Sequence, residues 1–156
     1  METWRKVWRE GLAPLLSTAG LEALRLGLMV DDPRLLQGAT TAPPLLRCIG
    51  DSPVEAACLI GYCGWQGEHL KTVAEVEEFF ARICSEADQR LGEPADFHSA
   101  CHWFLTWYDK TPRDEIRRQL LPEVNRTLAQ RREPIEAEIQ EALDFGRTAE
   151  QHLIAE

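Results

Sequence analysis

The stretch Thr72 to Gly92, TVAEVEEFFARICSEADQRLG, reads as one complete amphipathic helix and decides the fold class. Thr72 and Glu75 stand three apart. A hydroxyl there can accept from the backbone N–H of the first turn, and the carboxylate can answer back to the N–H of the cap residue. Val73, Val76, Phe79, Phe80, Ile83, Ala87 and Leu91 then recur at three- and four-residue spacing. Glu75, Glu77, Glu78, Arg82 and Gln89 fall on the other face, the pattern of a half-buried helix. Gly92 supplies the stop.

Two more such starts follow from the same reasoning. Ser52-Pro53-Val54-Glu55 and Thr111-Pro112-Arg113-Asp114 repeat the hydroxyl and the acid three residues on, with Pro at the first helical position. The first predicts a helix from Pro53 to about Trp65, apolar on every side and so buried and central. Gly61 and Gly64 would let a neighbour come close. A buried strand over Cys58 to Cys63 is the alternative. The second predicts a helix through Leu121, with a kink or fresh start at Pro122, which has no N–H to donate. Val124 and Leu128 continue its apolar face.

The remaining segments fit the same class. Trp4, Val7, Trp8, Leu12 and Leu15 mark a first helix, and Leu21, Leu24 and Leu28 a second, capped by Ser17 or Thr18 and stopped at Asp31-Asp32-Pro33. Residues 37–51 are rich in turn formers and read as an irregular connection that is either functional or mobile. Phe97, Cys101, Phe104, Leu105 and Tyr108 mark a helix over 97–108. From Pro134 to Leu153, Ile135, Ile139, Ala142, Gly146, Ala149 and Leu153 form a narrow seam like that of a coiled coil. The expectation is an all-α protein: a single-domain irregular array of about six or seven helices and no strand. Residues 1–132 form the helical domain. Residues 133–156 form an acidic C-terminal helix, packed on that domain or projecting from it.

Bulk properties narrow the function. A chain of 156 residues is long enough to bury a core unaided. Its net charge of −9 opposes general affinity for nucleic acid or anionic lipid. Five cysteines are an odd number in a chain that needs no staples, and no secretory signal or membrane span is read. The expected location is cytoplasmic, with reduced thiols.

Four groups of residues could carry chemistry or binding. Cys58, Cys63, His69 and His102 are of the types zinc selects, but no C-x-x-C pair is present and Cys101-His102 diverge on a helix. The same groups, with Cys84 and His98, would serve a thiol enzyme if a histidine approached a cysteine. Otherwise the cysteines are core residues. The glutamates at 75, 77, 78, 136, 138 and 141 lie off the apolar stripes as solvated faces. Trp4 and Trp8 could form a short interfacial helix, with core packing as the plainer reading. No phosphate loop, nucleophile elbow or dinucleotide fingerprint occurs.

Charge is the fourth feature. Residues 110–132 hold seven Lys/Arg against three Asp/Glu; residues 133–156 hold one Arg against seven acids. Consecutive helices folding back as a hairpin would pair these charges. A projecting acidic helix would instead present its seam to a partner. The leading expectation is a non-catalytic interaction or accessory protein, without cofactor, that engages another protein or itself through Ile135, Ile139, Ala142 and Leu153. A small metal- or thiol-dependent enzyme is the alternative. A nucleic-acid-associated subunit using Arg113, Arg117, Arg118, Arg126, Arg131 and Arg132 is the weaker one.

Overall fold

The computed structural model describes residues 1–47, 51–92 and 99–155, the side chains of residue 47 and of residues 147–155 excepted. Six α-helices lie within them: α1 (Thr3–Val7), α2 (Thr18–Val30), α3 (Leu59–Tyr62), α4 (Val73–Leu91), α5 (Ala100–Lys110) and α6 (Arg113–Ala155). Two of these continue into wider π turns, Trp8–Leu12 after α1 and Cys63–Gly67 after α3. Helix α4 is the element its sequence describes. The Thr72 side chain accepts from Glu75 N at 3.2 Å, and Thr72 N donates to the Glu75 carboxylate at 3.1 Å. Val73, Val76, Phe79, Ile83 and Ala87 are buried. Gly92 ends it at a φ of 78°, which favours glycine.

The expectation of helix alone is corrected by a small sheet. Strands β1 (Leu35–Leu36), β2 (Thr41–Ala42) and β3 (Ala56–Cys58) pair in the order β1-β3-β2, β1 parallel and β2 antiparallel to β3. The Ser52 start signature therefore opens no helix. Glu55 N donates to Ala42 O at 2.8 Å, Ala57 N to Arg34 O at 2.9 Å and Cys58 N to Thr40 O at 2.9 Å. The strand is central and buried on both faces, so its sequence is a continuous apolar run. Such a run has no period to separate strand from buried helix. Helix begins only at Leu59.

The described part of 37–51 is likewise held in place. The Gln37 amide donates to the carbonyls of Tyr108 (2.7 Å) and Thr111 (2.8 Å). Thr41, buried, donates to the Glu77 carboxylate at 2.7 Å. These long-range bonds replace the mobile connection that turn composition allowed; residues 48–50 lie outside the described residues.

The N-terminal segment packs as core. Trp8 is fully buried and stacks on Phe104, and Trp4 lies face to face with Trp107 at 3.7 Å. Membrane contact by this pair is thereby replaced with a sheltered aromatic cluster. Helix α5 starts from Ser99, whose hydroxyl accepts from His102 N at 3.2 Å. The expected earlier start at Phe97, and His98 with it, lie outside the described residues.

Helix α6 departs most from expectation. It runs unbroken for 43 residues through both Pro122 and Pro134, about 65 Å at the usual rise. Both prolines are exposed. The carbonyls that lose a donor, four residues earlier, can therefore be hydrated instead of lying orphaned in a core. The first half packs through Ile116, Leu120, Val124 and Leu128. It is clamped by Glu123, a buried carboxylate that accepts from Arg9 at 2.7 and 2.8 Å and forms an ion pair with Arg5 at 3.0 Å. The hairpin that would have paired the charges of 110–132 and 133–156 within one chain does not form.

Candidate interaction surfaces

Among the described residues the cysteine and histidine candidates form no group that could hold a metal ion. Cys58 sits in β3 and Cys63 opens the second π turn, both buried. Burial pushes the Cys58 thiol up to about 12 and Cys63 higher still, which disfavours the thiolate at either position. Cys101, also buried, has its sulfur 3.5 Å from the Cys84 carbonyl. His69 and His102 are exposed. His69 holds a left-handed φ of 63° in the loop before α4, and His102 lies on α5 with its ring 3.5 Å from the Thr106 hydroxyl. Among the described residues no group of three or more His, Cys, Asp or Glu is placed to hold a metal ion.

The arginines of 113–132 are largely turned inward. Helix α2 ends with carbonyls that have no partner of their own. The Arg113 guanidinium donates to the Asp31 carboxylate at 2.7 Å, to Leu35 O at 2.6 Å and to Asp32 O. Arg117 donates to Leu28 O (2.7 Å) and Met29 O (3.1 Å). Arg117 thus caps the last carbonyls of α2, and Arg113 ties down the turn that follows them. Arg131 donates to Ala13 O at 2.8 Å and to the Thr18 hydroxyl at 3.2 Å. A nucleic-acid reading that needs these side chains aimed outward is left with Arg118, Arg126 and Arg132, which are exposed.

A groove of about 550 Å³ opens beside α2. Its apolar wall is Ala19, Ala23, Leu26 and Val30, at 4-3-4 spacing on one face of the helix. Its other wall is Tyr62, Gln66, Asp32 and Arg34. The two walls meet because α2 and the second π turn cross backbone to backbone. A Cβ on Gly67 would stand 2.6 Å from Gly20 N and 2.7 Å from Ala19 O, so only glycine fits. Asp32 is nearly buried. It accepts from the Arg34 guanidinium at 2.9 Å and from the Tyr62 hydroxyl at 2.8 Å. Arg34, and the hydroxyl after it, hold the Asp32 carboxyl down to about 2, and burial pushes the Tyr62 phenol up to about 12. A carboxylate held ionised by two donors is a structural anchor, not a proton acceptor. Sequence reading took Asp31-Asp32-Pro33 only as a helix stop. The visible signal was Leu26, Met29 and Val30, apolar residues off the Leu21/Leu24/Leu28 stripe.

The second half of α6 offers the other surface. Among the described side chains Leu128 is the last buried one, and every residue from 132 to 146 is exposed. Ile135 and Ile139 are 58% and 56% exposed, and Ala142 follows on the same stripe. Leu143 (54%) and Phe145 (79%), which the seam reading omitted, widen the stripe on its two sides. Their omission came from admitting only positions in strict 4-3 alternation. Leu153 falls within α6, but its side chain is outside those described. Glu136 and Glu138 flank the stripe, the positions that set partner choice in paired helices.

Among the described residues no helix is long and apolar enough to cross a membrane. The chain gives no significant match to a protein-family model, to a curated protein or to a solved structure.

Proposed function

We propose that the protein is a non-catalytic interaction or accessory protein that engages its partner through the C-terminal half of α6. The observation that carries this reading is the uncovered stripe of Ile135, Ile139, Ala142, Leu143 and Phe145 on a helix that has left the core. Large apolar side chains are not kept in water along three helical turns without a use, because each would gain from burial. A regular stripe on one helix face suits recognition of another helix or a groove. The burial of Cys58 and Cys63 and the exposure of His69 and His102 speak against catalysis by these cysteines and histidines. Unpaired thiols at 58, 63, 84 and 101 fit a reducing, cytoplasmic setting.

The test is association with and without the stripe. Full-length protein and a triple variant, Ile135→Ser with Ile139→Ser and Leu143→Ser, are compared for self-association by sedimentation and for binding of partner protein from the source cell. Loss of either association in the variant is expected, with the circular dichroism of the body unchanged. Association of both kinds that is untouched by the variant, and by deletion of residues 133–156, would sink the reading.

A further inference from the structure

Among the described residues, two helices carry an uncovered apolar patch. One is the stripe on the second half of α6. The other is the end of α2, where Leu26, Met29 and Val30 are 59%, 47% and 64% exposed. The charge of α6 also changes sign between Arg132 and Glu133. The two halves cannot meet within one chain because the helix is continuous.

They meet when a second α6 lies antiparallel to the first, with a two-fold axis near the sign change. A parallel pair would set the acidic half of one helix beside the acidic half of the other, which repel. An antiparallel pair sets the acidic half of each copy beside the basic half of the other. A helix with inverted halves is complementary to itself only in this orientation.

The path of α2 brings in the second patch. Helix α6 runs antiparallel to α2: Arg113 bonds Asp31 at the far end, Asn125 bonds Arg25 at 2.9 Å, and Arg131 bonds Thr18 at the start. A second copy's tail that follows the first half of α6 backwards therefore also passes α2 from Thr18 toward Val30. Residues 135–146 and residues 19–30 each span about 16 Å of helix. Along that path Ile139 and Leu143 can cover Leu26, Met29 and Val30, while Glu136, Glu138 and Glu141 come near the exposed Arg118, Arg126 and Arg132.

Resting on the reading of the tail as an interaction element, we propose that the partner is a second copy of this chain. The acidic tail of one copy lies antiparallel on the basic first half of α6, and on the Leu26–Met29–Val30 patch, of the other.

The experiment is charge reversal read by sedimentation and native mass spectrometry on the full chain. The native protein is expected at twice its 17.7 kDa mass at micromolar concentration, moving toward the monomer as salt rises. One variant carries Glu136→Lys, Glu138→Lys and Glu141→Lys; the other carries Arg118→Glu, Arg126→Glu and Arg132→Glu. Each alone is expected to be monomeric. Mixed, they should form a one-to-one heterodimer, and both sets in one chain should restore the homodimer. All these side chains are exposed, and unchanged circular dichroism confirms that the body is folded. A native chain that stays monomeric at low salt overturns the proposal, as does a dimer that survives in both variants. A monomer that still loses a different bound protein on removal of the tail overturns the second copy as partner and leaves the interaction reading in place.

Discussion

Single residues carry the sharpest chemistry. Asp32 has a folded-state carboxyl value of about 2 against an ordinary 3.8. Because the folded value is the lower one, its stabilisation is present above the ordinary value and lost as pH falls toward the folded one. Asp32→Asn is therefore expected to cost up to about 2 kcal/mol near neutral pH. That gap should close as pH falls from about 4 to about 2, where the native carboxyl is itself protonated. Urea unfolding of both proteins across this range checks it, and a gap independent of pH would contradict the ionised anchor. Cys58 and Cys63 are expected to resist a thiol-specific disulfide reagent in the folded protein and to react once it is unfolded. Rapid labelling of either in the native state would mean that the core opens. Their burial was legible in the apolar run around them. The Tyr62 partner of Asp32 was not, because it lies thirty positions away in sequence and only folding brings it close.

At the scale of elements, the contrast between α4 and β3 shows what local pattern can decide. Helix α4 has a cap, a stripe, a solvated face and a stop, all local, and each formed, with Glu77 alone drawn from the solvated face to accept from Thr41. The segment Pro53–Cys58 carried an equally good start signature but became strand, because backbone partners from Arg34, Thr40, Ala42 and Lys71 were at hand. Hydrogen bonds from distant strands outweigh a cap contribution of about 1 kcal/mol. The clamp between α6 and the N-terminal segment is another long-range feature. Glu123 lies 114 positions from Arg9, and together with Arg5 the pair lowers its carboxyl value below the usual range. Glu123→Ala should cost roughly 2–3 kcal/mol, toward the low end for a broken buried pair because the two arginines can still reach water. A midpoint shift below a few tenths of a kcal/mol in denaturant unfolding would show that the clamp does not hold α1 to α6.

For the whole molecule, the division falls near Arg132, where the packed body gives way to an exposed helix. Deleting residues 133–156 is expected to leave the stability of the body unchanged to within about 0.5 kcal/mol, since residues 133–146 are all exposed and surface changes cost little. A larger fall in thermal midpoint, measured at a concentration where the native chain is monomeric, would mean that the tail packs on the body. The sequence by itself determined the helical character, the buried stripes of α4 and α5, the core role of Trp4 and Trp8, and the place where charge reverses. All of these follow from periodicity and side-chain type, which act over a few turns. Only the tertiary structure decided that Ala56–Cys58 is the central strand of a sheet, that α6 passes both prolines unbroken, and that Arg113 and Arg117 close the end of α2. Each depends on groups distant in sequence meeting in space, or on whether an orphaned carbonyl faces water, and neither is written in the local order of residues.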